Sequence, residues 1–277
     1  MSTWFNRSFA RMTIGANGAG LEEWSTHDGY RCPVDHDVRP PLMTDVVGGP
    51  PPDIIDDAPP IIAALLAKPL LRGWSHVLAF VMLLVLGALI IAEAADTDRG
   101  LWLIVVYVAG TGAMFGVSAA YHRLRWQPAA RALMSKLDHC TIFLAIAGAY
   151  TPMAVVSLSG WHRTSVLATC WIGSVVGIAL QWVPFHLPRW AFAAVYVVVG
   201  WAALPSIGQW YEGLGPLAFS LVMGGGLAYT VGAVIYALKR PDPWPQVFGF
   251  HEVFHVCTIV GAGLHYAAMT IVVDRLF

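Results

Sequence analysis

The sequence predicts an all-α integral membrane protein, a bundle of seven transmembrane helices with a cytoplasmic amino terminus and an outside carboxyl terminus. Three observations lead to this fold class. The 277 residues are 57% hydrophobic and only 12% charged, whereas soluble domains carry about 25% charged residues. Seven long stretches contain no Asp, Glu, Lys or Arg. The basic residues are concentrated on one side of these stretches, as in membrane proteins of defined orientation.

The uncharged stretches are the predicted helices, numbered segments 1 to 7 in chain order. Each has about the 20 apolar residues that a helix needs to cross the hydrocarbon core of a bilayer. Their connections are short, which leaves little room for a soluble domain after Lys68. The segments are Gly73–Ala92, Gly100–His122, His139–His162, Thr164–Pro188, Trp190–Tyr211, Gly213–Leu238 and Val253–Val273.

The distribution of basic residues orients the bundle. If the amino terminus is cytoplasmic, nine basic residues flank the segments on the cytoplasmic side and three on the other. This is the positive-inside bias, and it predicts a multi-pass protein of the plasma (inner) membrane. The nine are Lys68, Arg72, Arg123, Arg125, Arg131, Lys136, Arg189, Lys239 and Arg240, and the three are Arg99, Arg163 and Arg275.

Tryptophans near the segment ends mark the predicted interfaces, because one edge of the indole is apolar and the other can donate a hydrogen bond. Six tryptophans fit this pattern: Trp74, Trp102, Trp161, Trp182, Trp190 and Trp210.

Residues 1–60 differ in kind from the rest. They are rich in proline, with no apolar periodicity. Such a segment buries too little apolar surface to offset the entropy of ordering, so we predict a disordered cytoplasmic tail. Residues 61–277 form the predicted membrane domain. The net charge of −1 indicates no nucleic-acid partner and leaves membrane lipids as the expected partner class.

Small residues four apart supply faces on which membrane helices can pack closely. Gly112 with Gly116, and Gly173 with Gly177, form two such faces. We interpret both as internal contacts of the bundle, with a homo-oligomer interface as the alternative.

Ionisable residues inside membrane segments are costly and usually functional. His122 closes segment 2, Asp138 precedes segment 3, and His251 and His255 precede or open segment 7. His251 and His255 are four apart and therefore share a helix face, as do Ser118 and His122. The orientation set by the basic residues places all five at cytoplasmic depth, so we expect them to lie together.

Three imidazoles and a water make the open tetrahedral site of a catalytic zinc. We therefore predict zinc held by His122, His251 and His255. Asp138 would accept a hydrogen bond from the bound water or orient a ligand imidazole, and Ser118 would hold the water or donate to a developing oxyanion.

The other polar residues of these segments are given structural roles. Glu252 and His139 point away from the shared face around their helices; we predict a solvated carboxylate for Glu252 and interfacial hydrogen bonding for His139. His76 and His265 are expected to make structural hydrogen bonds, and Tyr150 to pack in the core.

The run Lys136-Leu-Asp-His-Cys-Thr-Ile-Phe-Leu-Ala-Ile-Ala-Gly-Ala-Tyr-Thr-Pro152 closely resembles the third-helix signature of the bacterial hemolysin III family, which belongs with the progestin and adipoQ (adiponectin) receptors. Ser118-x-x-x-His122, Gly224-Gly-Gly-Leu-Ala-Tyr-Thr-Val-Gly232 and His251-x-x-x-His255 resemble its other markers. The resemblance covers about 68–273. It implies a seven-helix bundle with an intramembrane zinc on His122, His251 and His255, and with Asp138 and Ser118 as polar partners of the bound water.

The resemblance also implies a role in membrane-lipid homeostasis, since some relatives are regarded as zinc-dependent ceramide amidases. One hypothesis is therefore a zinc-dependent hydrolase of a lipid amide or ester. The alternative is a non-enzymatic sensor or regulator of membrane state in which zinc is structural. A proton or ion pathway is disfavoured, because no chain of ionisable residues crosses to the far side. Both main hypotheses need the same ligands, so the sequence does not choose between them.

Overall fold

A computed structural model describes residues 68–95, 100–183 and 188–274 of the chain. All regular structure in these ranges is helical, apart from an isolated bridge between Trp244 and Phe248. The helices are α1 (Trp74–Ala94), α2 (Leu101–Arg123), α3 (Pro128–Ser157), α4 (Gly160–Leu180), α5 (Arg189–Gly200), α6 (Ile207–Leu238) and α7 (Phe250–Val273). The predicted tail, residues 1–60, lies outside the described residues.

Six helical stretches of the described chain are long and apolar enough to cross a membrane. Five of them are α1, α2, α3, α4 and α7, and the sixth is the stretch Trp190–Leu238. The predicted all-α membrane architecture is therefore confirmed. The chain is a multi-pass membrane protein.

The predicted fifth segment, Trp190–Tyr211, is not one continuous helix. α5 ends at Gly200, a short 3-10 helix follows at Leu204–Ser206, and α6 begins at Ile207. Pro205 lies in that 3-10 helix and has no N–H to continue an α-helical hydrogen-bond ladder. A second break lies inside α6, where Gly215 adopts φ 70° directly before Pro216.

α3 begins well before the predicted segment at His139. Pro128 occupies its first turn, a position where proline is favoured because the missing N–H would be unpaired anyway. The helix has 30 residues, more than the roughly 20 that a crossing needs. Arg131, Lys136 and Asp138 therefore lie on its first turns, and Asp138 is held by a helix rather than by a loop.

Consecutive helices pack side by side, and α1 also contacts α7, which brings the first and last helices together. α2 and α3 approach closely where Gly110 faces the carbonyl of Leu144 and Gly148 faces that of Val106. A Cβ on Gly110 would lie 2.6 Å from the Leu144 oxygen, and one on Gly148 would lie 2.9 Å from the Val106 oxygen. This contact needs glycine on both helices.

The two predicted small-residue faces are internal, as interpreted. Gly116 lies against Phe80 of α1, whereas Gly173 lies against Val199 of α5 and Gly177 against Phe143 of α3. The larger apolar core surrounds residues such as Met153, Leu214 and Met269. Met269 lies near the opposite end of α7 from His251 and His255, so the histidines lie outside this core.

Five of the six tryptophans predicted at the interfaces are exposed on the helix bundle: Trp74, Trp102, Trp161, Trp182 and Trp190. Trp210 is instead 3% exposed and packs against the ring of Tyr150. Because of the break between α5 and α6, Trp210 belongs to the start of α6 and not to the end of a straight fifth helix.

Candidate metal centre

Three histidines from two helices meet at one point. His122 lies in the last turn of α2, and His251 and His255 lie in the first two turns of α7. One nitrogen from each ring can be chosen so that all three lie within 4.8 Å of one another. The Nε2 atoms of His122 and His251 are 3.2 Å apart. The i, i+4 spacing puts both α7 imidazoles on one face, and packing of α7 beside the end of α2 brings the third.

The closest pair of nitrogens has the spacing expected of two ligands on one metal ion. Two nitrogens bound to one tetrahedral zinc at 2.0–2.1 Å lie roughly 3.3 Å apart, close to the 3.2 Å between His122 and His251. His122 is 6% exposed and His255 1%, while His251 is half-buried. Three imidazoles that converge at a largely buried point can hold a metal ion, and they come from two helices far apart in the sequence.

Asp138 lies beside this cluster. Its Oδ2 atom is 3.9 Å from Nε2 of His122, and the hydroxyl of Ser118 adjoins its carboxylate. Ser118 is buried on the same helix as His122, one turn earlier. All five residues singled out from the sequence therefore lie together, at the end of α2 and the first turns of α3 and α7.

Glu252 contradicts its prediction. Its carboxylate is buried, not solvated, and accepts hydrogen bonds from the guanidinium of Arg72 and from the backbone N–H of Gly249. Glu252 is the third residue of α7 after the cap at Gly249, and a Glu at that position commonly bonds back to the cap N–H. That capping pattern was the signal in the sequence that could have found it.

His76 supports His255 from α1. Their rings are stacked, with centroids 3.7 Å apart and planes 12° from parallel. Nε2 of His76 lies 3.1 Å from the hydroxyl of Thr258, which donates to the backbone carbonyl of His255. A hydroxyl has one hydrogen to donate, so His76 is the donor to Thr258. The predicted structural hydrogen bond of His76 is present. The stacking of its ring on His255 was not predicted.

Basic side chains surround the end of α2. The ammonium group of Lys68 donates to the backbone carbonyl of His122, 3.1 Å away. Burial, together with the nearby guanidinium groups of Arg131, Arg72 and Arg123, holds the pKa of Lys68 below its ordinary value. Arg123 also lies over the ring of Trp74, 4.4 Å from its centroid.

Three other residues with predicted structural roles, His139, His265 and Tyr150, have structural partners. Nδ1 of His139 pairs with the carbonyl of Ser135 on its own helix, 2.7 Å away, as expected for a residue off the shared face. His265 bonds to the carbonyl of Val222, and the Tyr150 hydroxyl donates to the carbonyl of Gly200.

A cavity lies away from the three histidines. Its walls come from α3, from the connection between α5 and α6, and from α6 and α7, and none of the three histidines lines it. Polar and aromatic groups on its wall include Tyr150, Trp201, Trp210 and His265.

Comparison with known proteins places the chain in a family. The model of the family described as "Haemolysin-III related" matches residues 65–266. This range includes all the residues of the histidine cluster together with Ser118 and Asp138.

Several curated proteins are similar to the chain. Hemolysin-3 of Bacillus cereus is 27% identical over 203 residues, which cover 73% of this chain and 88% of that protein. The heptahelical transmembrane protein ADIPOR2 of Oryza sativa subsp. japonica is 28% identical over 190 residues, covering 62% and 82%. The adiponectin receptor protein of Drosophila melanogaster is 26% identical over 213 residues, covering 70% of this chain but 48% of that protein. With a family match over residues 65–266 and a bundle of apolar helices, the chain belongs to the Haemolysin-III related family.

Proposed function

We propose that the chain is a zinc-binding protein of the plasma (inner) membrane that acts in membrane-lipid homeostasis by hydrolysing a lipid amide or ester bond. One observation carries the proposal: three imidazoles converge beside a carboxylate, with Asp138 Oδ2 3.9 Å from His122 Nε2. A structural zinc needs a closed ligand set, whereas three imidazoles with an adjacent carboxylate leave one position open and place an acid-base group beside it.

The proposal includes seven membrane crossings. The stretch Trp190–Leu238 has 49 residues, which as one helix would be about 74 Å long at 1.5 Å per residue. A hydrocarbon core is about 30 Å thick, so this stretch has length for two crossings. The breaks at Leu204–Ser206 and at Gly215 offer places for the chain to turn, and α5 packs against α6. The rice relative is named heptahelical.

His122, His251 and His255 would hold the zinc. When bound, a zinc ion polarises a substrate carbonyl and lowers the pKa of a water molecule toward about 7. The neutral imidazole is the form that ligates metals, and burial among apolar helices favours neutral side chains at this depth.

Asp138 would serve as the general base. Its Oδ2 atom would accept the proton of the attacking water and later deliver it to the departing amine or alcohol. Ser118 would hold the carboxylate in place through its hydroxyl. The α3 helix fixes Asp138 on a rigid element, which keeps the distance between base and attacked carbonyl constant.

The second candidate is a non-enzymatic sensor of membrane state with a structural zinc. It is favoured by the position of the cavity, whose walls include none of the three histidines. In this reading zinc ties the end of α2 to the start of α7, with His76 of α1 stacked on His255. A change in helix packing would then alter the metal site, and Asp138 would act only as a hydrogen-bond acceptor.

Removal of Asp138 separates the two candidates. Asp138→Asn keeps the shape of the side chain and all three imidazoles, so zinc affinity should fall by only the roughly 10–100-fold typical of such partners. A hydrolase should nevertheless lose turnover, because an amide cannot accept the proton. His255→Ala should lose zinc and function under either candidate.

The assay is complementation of a deletion strain's growth or membrane-fluidity defect, with zinc content measured on each purified variant. The exposed Asp274→Asn at the end of α7 is the matched control and should complement fully. A zinc-loaded, well-expressed Asp138→Asn protein that also complements fully would reject the hydrolase and leave the sensor.

A further inference from the structure

Four basic side chains gather beside the end of α2, next to the histidine cluster but outside it. Lys68 precedes α1 and reaches the carbonyl of His122. Arg72, Arg123 and Arg131 all lie close enough to act electrostatically on Lys68. They come from the segment before α1, the end of α2 and the first turns of α3, so the fold brings them together from three separate places in the chain.

The positive charge of this group is largely uncompensated. Glu252 is paired with Arg72. Within residues 68–95, 100–183 and 188–274, no carboxylate forms an ion pair with Lys68, Arg123 or Arg131. Like charges held together repel one another, and more strongly where they are partly removed from water. A bound anion would reduce the repulsion between these four basic groups.

Arg131 also indicates that this group of basic side chains needs an anion. Its Nε atom is buried and has no hydrogen-bond partner in the described part of the chain. Buried donors are nearly always paired, more so when they carry charge. A guanidinium group presents its N–H donors in a planar fork that matches the oxygens of a phosphate.

The site lies where phosphate groups are abundant. Trp74, at the first residue of α1, is half exposed, and the guanidinium of Arg123, at the last residue of α2, lies over its ring. Tryptophan favours the headgroup layer of a membrane. Contact with an aromatic ring leaves the charge of the guanidinium unneutralised, so the N–H donors of Arg123 can still bind an anion.

We propose that Lys68, Arg72, Arg123 and Arg131 form a binding site for a phosphate group, carried by the headgroup of an anionic lipid or by free inorganic phosphate. The site is separate from the metal centre, and it does not depend on zinc or on hydrolysis. Basic pockets between transmembrane helices at the membrane surface bind lipid headgroups in this way.

The test uses the purified full-length chain in detergent and native mass spectrometry with dioleoylphosphatidylglycerol. Dioleoylglycerol, which has the same acyl chains and no phosphate, is the matched lipid. The unsubstituted chain should retain the phospholipid and not dioleoylglycerol. Arg131→Gln should weaken retention about tenfold, the usual loss for a hydrogen bond between charged groups.

Arg125→Gln is the control variant, because Arg125 is exposed in the same α2–α3 connection and is absent from the charges that act on Lys68. It removes the same charge and should change retention by less than about twofold. If Arg131→Gln does not fold, the exposed Arg123→Gln decides in its place.

Excess inorganic phosphate distinguishes the two sources. A lipid that stays bound identifies the headgroup as the ligand, whereas displacement of the lipid, with a phosphate-induced rise in thermal stability that Arg131→Gln abolishes, identifies free phosphate. Either result supports a phosphate site. Equal phospholipid retention by the unsubstituted chain, Arg131→Gln and Arg123→Gln overturns it, as does an equal loss in Arg125→Gln and Arg131→Gln.

Discussion

The guanidinium group of Arg72 donates to the carboxylate of Glu252, and this ion pair joins the segment before α1 to the first turn of α7. Backbone hydrogen bonds from Leu70 and Leu71 to the carbonyls of Gln246 and Val247 reinforce the same junction. Glu252 lies directly after His251, so the contact sets the position of the helix turn that carries the α7 imidazoles.

Loss of Arg72 should strongly destabilise the fold. Arg72→Met leaves Glu252, 1% exposed, as a buried carboxylate without its cation, which costs about 3–5 kcal/mol in the free energy of unfolding. The double substitution Arg72→Met with Glu252→Met should recover a large part of that cost, because no buried charge remains. Chemical denaturation in detergent measures both.

The exposed Arg125→Met is the control and should stay within about 0.5 kcal/mol of the unsubstituted chain. A double variant no more stable than Arg72→Met would mean that the pair does not act as a unit.

Zinc content tests the metal centre directly. The purified chain should contain about one zinc, and His251→Ala or His255→Ala should remove most of it, since two imidazoles make an incomplete site. Elemental analysis by mass spectrometry gives the ratio. His139→Ala removes a nearby imidazole that bonds to a carbonyl of its own helix and should keep the metal. Zinc-free protein that is well folded, or zinc retained by both α7 variants, would show that the site is misassigned.

The glycine contact between α2 and α3 should tolerate no side chain. In Gly110→Ala the new methyl group would meet the backbone carbonyl of Leu144, and backbone cannot rotate away. Overpacking of this kind costs about 1–3 kcal/mol and would separate the helices that carry His122 and Asp138. Thermal unfolding should show a lower midpoint.

Gly263→Ala supplies the comparison for that experiment. Gly263 lies within α7 and has open space where a Cβ would be, so alanine should be neutral or stabilise by up to about 1 kcal/mol. Equal effects of the two substitutions on the unfolding midpoint would mean that the close approach of α2 and α3 contributes nothing measurable to stability.

The orientation rests on the nine-to-three distribution of basic residues and remains a prediction. Gln127→Cys lies in the α2–α3 connection and Trp161→Cys at the start of α4, and both positions are exposed. In intact cells a membrane-impermeant thiol reagent should label the second and spare the first. Both should react after permeabilisation, and the unsubstituted chain sets the background. The opposite labelling pattern would invert the topology.

Local features of the chain were predictable from the sequence. Apolar length alone indicated most of the long apolar helices, because a bilayer has a fixed thickness and an α-helix a fixed rise per residue. It failed at the predicted fifth segment, which is broken at Leu204–Ser206. The shared face of His251 and His255 also follows from helix geometry. Basic-residue counting then predicted one common depth for His122, Asp138 and the α7 histidines, and the structure brings these residues together.

Long-range features were decided only by the tertiary structure. Helix position alone predicted a solvated Glu252, yet the carboxylate is buried and pairs with Arg72, 180 positions earlier in the chain. The same holds for the stack of His76 on His255 and for the two-sided glycine contact of α2 with α3. Periodicity and composition describe one helix at a time. The packing of separate helices decides which charged side chains pair. It also decides where a glycine is needed to let a carbonyl of the next helix approach. The length of an apolar segment carries no information about either.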